Sequence, residues 1–410
     1  MTVVPTQIVG ARDAALAAWP IYGGTTPNGN YGINVEGDVL VNQTSDGTSL
    51  NDLWSELLTL FDIENNERTA IVNLISYWHT ETASIVPQSI SAPDFEEASE
   101  LGIPKGANSP ANALRLGFTF RDFDLANRFS WKFLRSASAE QVRAVIDSIV
   151  YADRKRVTGT ILHRLFNPNP ERNEWGHTCY GLWNGTDGLA PLPHLGREFD
   201  ASETHYHATE TTRLDSLDVE MAFQQITRKG YGTKESSSQL LILANPDQAD
   251  DIQGWRAGKA SRPAETGEDA EDVPVSKFDF IPSIDAPPYL QEENIIGQPA
   301  PAKFGGLPVL GSYGPAYLIQ SNFVPADYVA IVATNGPSSL MNAIGVRQHE
   351  NAAYQGLRQI SGRGPYPIVE SFSQRSFGVG TRHRSAAVCL QVVDSSNYTA
   401  PPKGAFGLTS

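Results

Sequence analysis

SAEQVRAVIDSIVYADRKRVTGTILHRLF, residues 138–166, is the stretch whose reading decides the fold. Val142, Val145, Ile146, Ile149, Val150, Val157, Ile161, Leu162, Leu165 and Phe166 recur at three- and four-residue steps and trace one apolar stripe. That is the pattern of an amphipathic helix. Ser138 and Gln141 stand in capping-box relation at its start, and Pro168 follows its end. At 1.5 Å per residue the helix is a rod of about 43 Å. Gly159 is its one weak point.

Upstream of this helix the period changes from 3.6 to two. Leu114, Leu116, Phe118 and Phe120 alternate with Arg115, Gly117, Thr119 and Arg121, which reads as a half-buried strand. An extended stretch at 84–90 opposes it, and a polar segment at 93–110 with Lys105 lies between. The pattern predicts a long hairpin. Fifteen residues per arm at about 3.3 Å each reach roughly 50 Å, against a radius of gyration of about 22 Å for a chain of this length. A two-stranded hairpin is marginal alone, so this one implies a partner surface.

Further outward, residues 1–47 are rich in Gly, Asn, Thr and Pro and show little periodicity, which reads as either disorder or an arm that packs on something else. Leu50, Leu53, Trp54, Leu57, Leu58 and Phe61 predict a first helix, and an apolar stretch follows at 71–78. Residues 167–212 read as loops. A helix is expected at 214–228, a strand at 239–244 (QLLILA), and a second helix from Asn245-Pro246 to near Gly258. Residues 259–275 read as a solvated acidic loop. Strands are expected at 307–310, 316–321 and 327–334, and in two runs within 366–393. The class is α+β.

The 410 residues predict about two to three domains. With 31 Lys and Arg against 46 Asp and Glu the formal charge is −15, and no basic cluster marks a nucleic-acid reader. The longest clean apolar run, YVAIVA at 328–333, is far short of a membrane span. No secretory leader is expected, so the sequons at Asn42, Asn184 and Asn397 carry no meaning. Cys179 and Cys389 match no Cys-x-x-Cys pattern and fit free thiols in a reducing compartment.

Chemistry-bearing groups are sparse. His177, Cys179, His194, His205 and His207 lie close in sequence, and His-x-Cys and His-x-His on extended chain share a face. Their spacing matches no zinc signature, so the plainer reading is loop packing, with a metal-dependent enzyme as the alternative. The segment at 47–51 (GTSLN) lacks the closing glycine of a nucleophile elbow. The segment at 378–383 (GVGTRH) has two glycines but lies in a strand-like run rather than before a helix. No catalytic residue, cofactor site or metal site is assigned.

The order of elements resembles the major capsid protein of tailed bacteriophages of the Hong Kong 97 type, across the whole chain. It runs from a polar arm through a long hairpin and a long amphipathic helix to a helix–strand–helix region and a strand-rich end. The resemblance implies an N-terminal arm with the first helix at 1–79 and an E-loop hairpin at 80–121. It implies a peripheral domain at 122–212 and 335–399 with a spine helix at 138–166, an axial domain at 213–334, and a tail at 400–410. The segments QLLILANPDQADDIQGW (239–255), LPVLGSYGPAYLIQSNFVPADYVAIVAT (307–334) and FSQRSFGVGTRHRSAAVCLQV (372–392) carry it.

It further implies a non-enzymatic shell subunit, found in the virion and assembled in the host cytoplasm. Its partners would be itself in hexamers and pentamers, scaffolding, portal and decoration proteins, and enclosed DNA met without sequence readout. An encapsulin-like compartment shell is the nearest alternative. Some members lose an N-terminal scaffolding segment, which is not expected here with about 47 residues before the first helix. Some crosslink a hairpin lysine to a neighbour's asparagine beside a glutamate. Lys105 is the only candidate donor, Asn342 or Asn351 the candidate acceptor and Glu350 the candidate catalyst, though a solvated lysine is the plainer reading.

Overall fold

The computed structural model describes residues 42–66, 70–88, 97, 112–265, 267–285, 299–363 and 366–408. Helices α1 (Leu50–Asn66) and α2 (Ala70–Ile75) lead into β1 (Ser76–His79). Then come β2 (Ala83–Gln88), β3 (Asn112–Gly117), β4 (Arg121–Arg128), α3 (Trp131–Ser136) and the long helix α4 (Ala139–Phe166). Next are β5 (Glu171–Arg172), β6 (Thr178–Cys179), β7 (Tyr206–Ala208), α5 (Ser216–Thr227), β8 (Gln239–Ala244), α6 (Pro246–Gln253) and β9 (Phe280–Pro282). Strands close the chain: β10 (Lys303–Phe304), β11 (Leu307–Pro308), β12 (Gly311–Tyr313), β13 (Ala316–Gln320), β14 (Tyr328–Thr334), β15 (Ile344–Gln348), β16 (Leu357–Ile360), β17 (Glu370–Thr381) and β18 (Ala387–Gln391).

The chain divides into two compact units. The first takes in the described residues through Glu64, then Asp124–Val150 and Arg358–Gln374. Its core uses Leu50, Leu53, Leu57 and Phe61 of α1, Leu134 of α3, and Val142, Ile146 and Ile149 of α4. The capping box forms as expected: the Ser138 N–H donates to Gln141 Oε1 at 3.0 Å, and the Gln141 N–H reaches Ser138 Oγ at 3.4 Å. A further cap was not legible locally. The Ala139 N–H donates to Asp46 Oδ2 at 3.0 Å, from ninety-three residues away.

The second unit holds Asn65–Phe123, Tyr151–Leu357 and the chain from Arg375 onward. Its centre is a seven-stranded mixed sheet in the order β7-β18-β14-β8-β13-β12-β9. Strands β8 and β14 are buried on both faces, which is why they read as continuous apolar runs rather than alternating ones. Leu240, Ile242, Val329, Ile331 and Val388 pack on one face with Val219, Phe223 and Ile226 of α5 and Ala249 and Ile252 of α6. Leu241, Leu243, Ala330, Val332 and Cys389 pack on the other with Ile161, Leu162, Leu165 and Phe166 of α4. Gly159 has a reason to be glycine, since a Cβ there would lie 2.8 Å from the Phe406 carbonyl oxygen. Strands β7 and β18, which fall in the ranges expected for a peripheral domain, pair in this same sheet.

Several expectations need correction. The helix opened by Asn245 and Pro246 ends at Gln253, capped by Gly254. Trp255 turns inward there, 1% exposed, and its Nε1 donates to the Ser261 carbonyl at 2.9 Å. The acidic loop is not simply solvated. Arg262 is buried within it, pairs with Glu268 through two hydrogen bonds of 2.6 and 2.9 Å, and reaches Asp215 at 3.6 Å. The strand expected through Arg121 breaks after Gly117, and the exposed strand β4 follows, too polar to show as a period.

That break has a cause in a second sheet, where β1 runs parallel to β15 and β15 antiparallel to the Phe377–Thr381 part of β17. Residues 117–120 lie directly on that strand. A Cβ on Gly378 would sit 1.6 Å from the Thr119 carbonyl oxygen, and one on Gly380 2.5 Å from that of Gly117. The GVG motif at 378–380 therefore serves close backbone approach. Gly378→Ala is expected to cost about 1–3 kcal/mol or more as an overpacked contact. Amide exchange is the check: Phe118, Thr119 and Val379 should lose protection while Ile242 and Ile331 keep it. Unchanged protection at Thr119 and Val379 would refute the contact.

Candidate functional site

The expected hairpin is present as an antiparallel ladder from Ala83 opposite Gly117 to Gln88 opposite Asn112. Among the described residues β2 and β3 pair only with each other. Ser84 and Leu116 are buried while Ile85 is 60% exposed, so the ladder has one inward and one outward face. The segment joining the arms, and Lys105 with it, lies outside the described residues.

The root of the ladder is held from three directions. The Thr82 carbonyl accepts the Phe118 N–H at 3.1 Å and Asn173 Nδ2 at 3.1 Å. Thr119 exchanges bonds with Val379: its N–H donates to the Val379 carbonyl at 3.1 Å, and the Val379 N–H donates to its Oγ1 at 2.9 Å. The Phe118 ring is fully buried, edge-on to His79 with centroids 4.1 Å apart. Gly345 leaves room for it, since a Cβ there would be 2.5 Å from the ring.

His79 sits at the entry to β2 in an environment hostile to charge. Burial, then Arg347 and Arg382, push its pKa down to about 4, and its Nε2 has no hydrogen-bond partner. The same burial pushes the neighbouring Tyr77 phenol up to about 12.

The five residues of the His/Cys segment do not converge. The His177 N–H is taken by Asn173 Oδ1 at 2.8 Å, and its Cβ packs against Gly117 of β3. Cys179 is buried, which pushes its thiol up to about 12. The His194 ring lies over Gly230. His205 Nδ1 is 2.6 Å from the Ala387 carbonyl, and complete burial holds the ring neutral. His207 Nε2 is 2.8 Å from Gln225 Oε1. Among the described residues no group of three or more His, Cys, Asp or Glu is placed to hold a metal ion. Cys179 and Cys389 are free thiols, as expected.

Asn342 is fully buried. Its amide nitrogen donates to the carbonyls of Asn73, Ser76 and Gly336, and its Oδ1 accepts from Thr334 and Asn335. It is therefore structural and removed from the list of acceptors. Asn351 and Glu350 lie on an exposed turn, where Asn351 Oδ1 accepts the Ala353 N–H at 2.9 Å.

Two ionic anchors escaped the sequence reading. The Arg384 guanidinium lies 3.9 Å from the Trp183 ring centre and 4.7 Å from that of Tyr180. It donates to the carbonyls of Gly181 and Leu182 at 2.9 and 3.1 Å and pairs with Asp187. Arg375 Nε donates to Asp153 at 2.6 Å, both groups nearly buried. About two hundred residues separate each set of partners, so no local pattern announces them.

No family model matches this sequence, and no curated protein sequence is similar to it. A solved structure from Mycobacterium phage Patience is 33% identical, with a TM-score of 0.66, over 92% of this chain and 98% of that one. The capsid structure of cyanophage P-SCSP1u matches at TM-score 0.45 and 8% identity, over 80% of this chain and 90% of that one. The holo-SrpI encapsulin complex from Synechococcus elongatus matches at TM-score 0.39 and 12% identity, over 84% and 98%. The protein is a structural component of a phage capsid. The chain belongs to the major capsid proteins of tailed bacteriophages. No helix among the described residues is long and apolar enough to cross a membrane.

The His79 environment sets a pH dependence. Its folded pKa lies below its unfolded one, so the unfolded chain binds more protons and stability rises with pH. The loss is expected as pH falls from 6.5 to about 4, on the order of 2–3 kcal/mol. In urea melts across that window His79→Gln should flatten the slope. An unchanged slope would refute the assignment.

Proposed function

We propose that the chain assembles as hexamers and pentamers of an icosahedral shell that encloses double-stranded phage DNA. The observation that carries this reading is the similarity to the phage Patience structure, which extends over 92% of the chain rather than one domain. In this reading residues 80–121 are the E-loop, and α4 is the spine helix of a peripheral domain at 122–212 and 335–399. Residues 213–334 form the axial domain, 1–79 the arm with the first helix, and 400–410 the tail. The role is scaffolding of space rather than catalysis.

Surface features support self-association. Ile85 is 60% exposed, Trp175 68% and Leu195 85%. Leu195 also has a φ of 47°, a left-handed conformation that is unfavourable for a residue with a branched side chain. A strained, exposed leucine is wasteful in a monomer and useful as an anchor on a second copy. Scaffolding, portal and decoration proteins are the further partners, with assembly in the host cytoplasm. The chain's −15 charge favours an acidic inner face that repels packaged DNA, over a range set by screening to about 10 Å.

Negative-stain microscopy of the purified full chain is the direct test. Uniform icosahedral particles are expected, whereas only monomers at high concentration would overturn the reading. A denaturing gel of those particles addresses Lys105: a single monomer band is expected, and a ladder would make Lys105 a crosslinking donor.

A further inference from the structure

The second unit contains a cavity of about 260 Å³ where five chain segments meet: the stretch after the hairpin, α4, β5, β17 and the segment near residue 403. Its lining includes Arg121, Arg156, Arg164 and Lys403 against one carboxylate, Glu171, with His163 beside them. Arg121, Arg164 and Lys403 against one carboxylate make a local excess of two positive charges in a chain whose net charge is −15.

Arg121, 60% exposed, and Lys403 are open to solvent, but the cation between α4 and the loops is not. Arg164 is 2% exposed. Its Nη2 donates to the Asn167 carbonyl and to that of Asn169, the latter at 2.8 Å, while its Nε and Nη1 have no hydrogen-bond partner. Arg121 reaches Glu171 only at 3.7 Å. The Arg156 guanidinium lies 4.9 Å from the Phe123 ring centre, which holds it in place over an apolar wall. His163 is held below its ordinary range by burial first, and then by Arg164, with Lys403 and Arg121 adding to the effect against Glu171. Three of the cations thus act on one imidazole, a measure of how closely they converge.

Burying the Arg164 guanidinium beside further cations is unfavourable, and its N–H groups without acceptors add to that cost. An anion entering the cavity would relieve both at once. The space is several times the roughly 30 Å³ share of one water, and it lies at or below the lower end of about 300–1,000 Å³ for drug-sized ligand pockets. Guanidinium forks match tetrahedral oxyanions in geometry.

We propose that this cavity is a binding site for a small tetrahedral oxyanion of the phosphate class. It would take the unpartnered Arg164 N–H groups and the Arg121 and Lys403 heads as donors. A bound anion would tie the hairpin's exit, the long helix and the C-terminal segment into one cluster.

Isothermal titration of the full chain with inorganic phosphate, at low ionic strength and without other multivalent anions, tests it. Saturable binding at about one site per chain is expected. The Arg121→Gln/Lys403→Gln double variant, which alters exposed groups and should fold, is expected to bind at least tenfold more weakly. Lys234→Gln, away from the cavity, should bind as the parent does. Absence of saturable heat with folded parent protein overturns the proposal, as does equal affinity in the double variant or an equal loss in Lys234→Gln. A second arm adds a short DNA duplex. Competition with phosphate that depends on Arg121 and Lys403 assigns a phosphodiester source, and no competition assigns the free anion. Either outcome requires the site to exist.

Discussion

The paired strands β2 and β3 depend on a contact made by missing side chains. Residues 117–119 can lie on β17 only because positions 378 and 380 are glycine, and Phe118 can bury its ring only because position 345 is. Three glycines cost backbone entropy in strands. In return, the Thr119 backbone and hydroxyl both bond Val379, and a large aromatic ring leaves water completely. A two-stranded ladder is marginal on its own, so its stability is borrowed from this root. His79 closes the same contact, and its neutrality follows from sharing a dry pocket with Phe118 near two arginines.

Much of the fold was legible because its signals are local. The capping box at Ser138, the stripe along α4, the QLLILA strand and the Asn245-Pro246 helix start each follow from residues a few positions apart. The hairpin was legible from alternation that continues through Leu114 and Leu116. What failed did so for non-local reasons. The strand through Arg121 breaks where the chain leaves the ladder and bonds β17, whose glycines lie some 260 residues on. The 259–275 loop reads as solvent-facing acids unless Arg262 is known to turn inward onto Glu268 and Asp215. Helix α6 stops early because Trp255 has a buried place to go.

The histidine and cysteine cluster shows the same limit from the opposite side. Proximity in sequence made 177–207 look like a ligand set. The fold uses each group alone: His205 bonds a carbonyl of β18, His207 bonds a glutamine of α5, and Cys179 is packed as a small apolar group. Two aromatics of the 167–212 loops, Tyr180 and Trp183, lie over Arg384, which also pairs with Asp187 and donates to two carbonyls. A buried arginine of this kind is a poor source of net stability. It does fix which loop conformation is acceptable, since removing any one acceptor leaves charge unpaired in the interior.

What separates Arg164 from the other buried arginines is the missing carboxylate rather than the missing hydrogen bond, since Arg384 Nη1 and Arg262 Nε also lack partners. Arg384, Arg375 and Arg262 are all largely buried, and each meets a carboxylate within 2.6 Å or less. Arg164 is as deeply buried and meets carbonyls only, with further cations as neighbours. The fold therefore has the means to neutralise an interior guanidinium and uses it for these three and again for Arg347, which pairs with Glu174 in the same unit. Where it does not, the missing negative charge must come from outside the described chain, or the cluster must bear a repulsion that a single Arg→Gln substitution would remove. Because the chain is acidic overall, long-range attraction does not bring an anion there. Only the short-range geometry of the recess can do so, which makes its selectivity a matter of shape and hydrogen-bond count rather than of net charge.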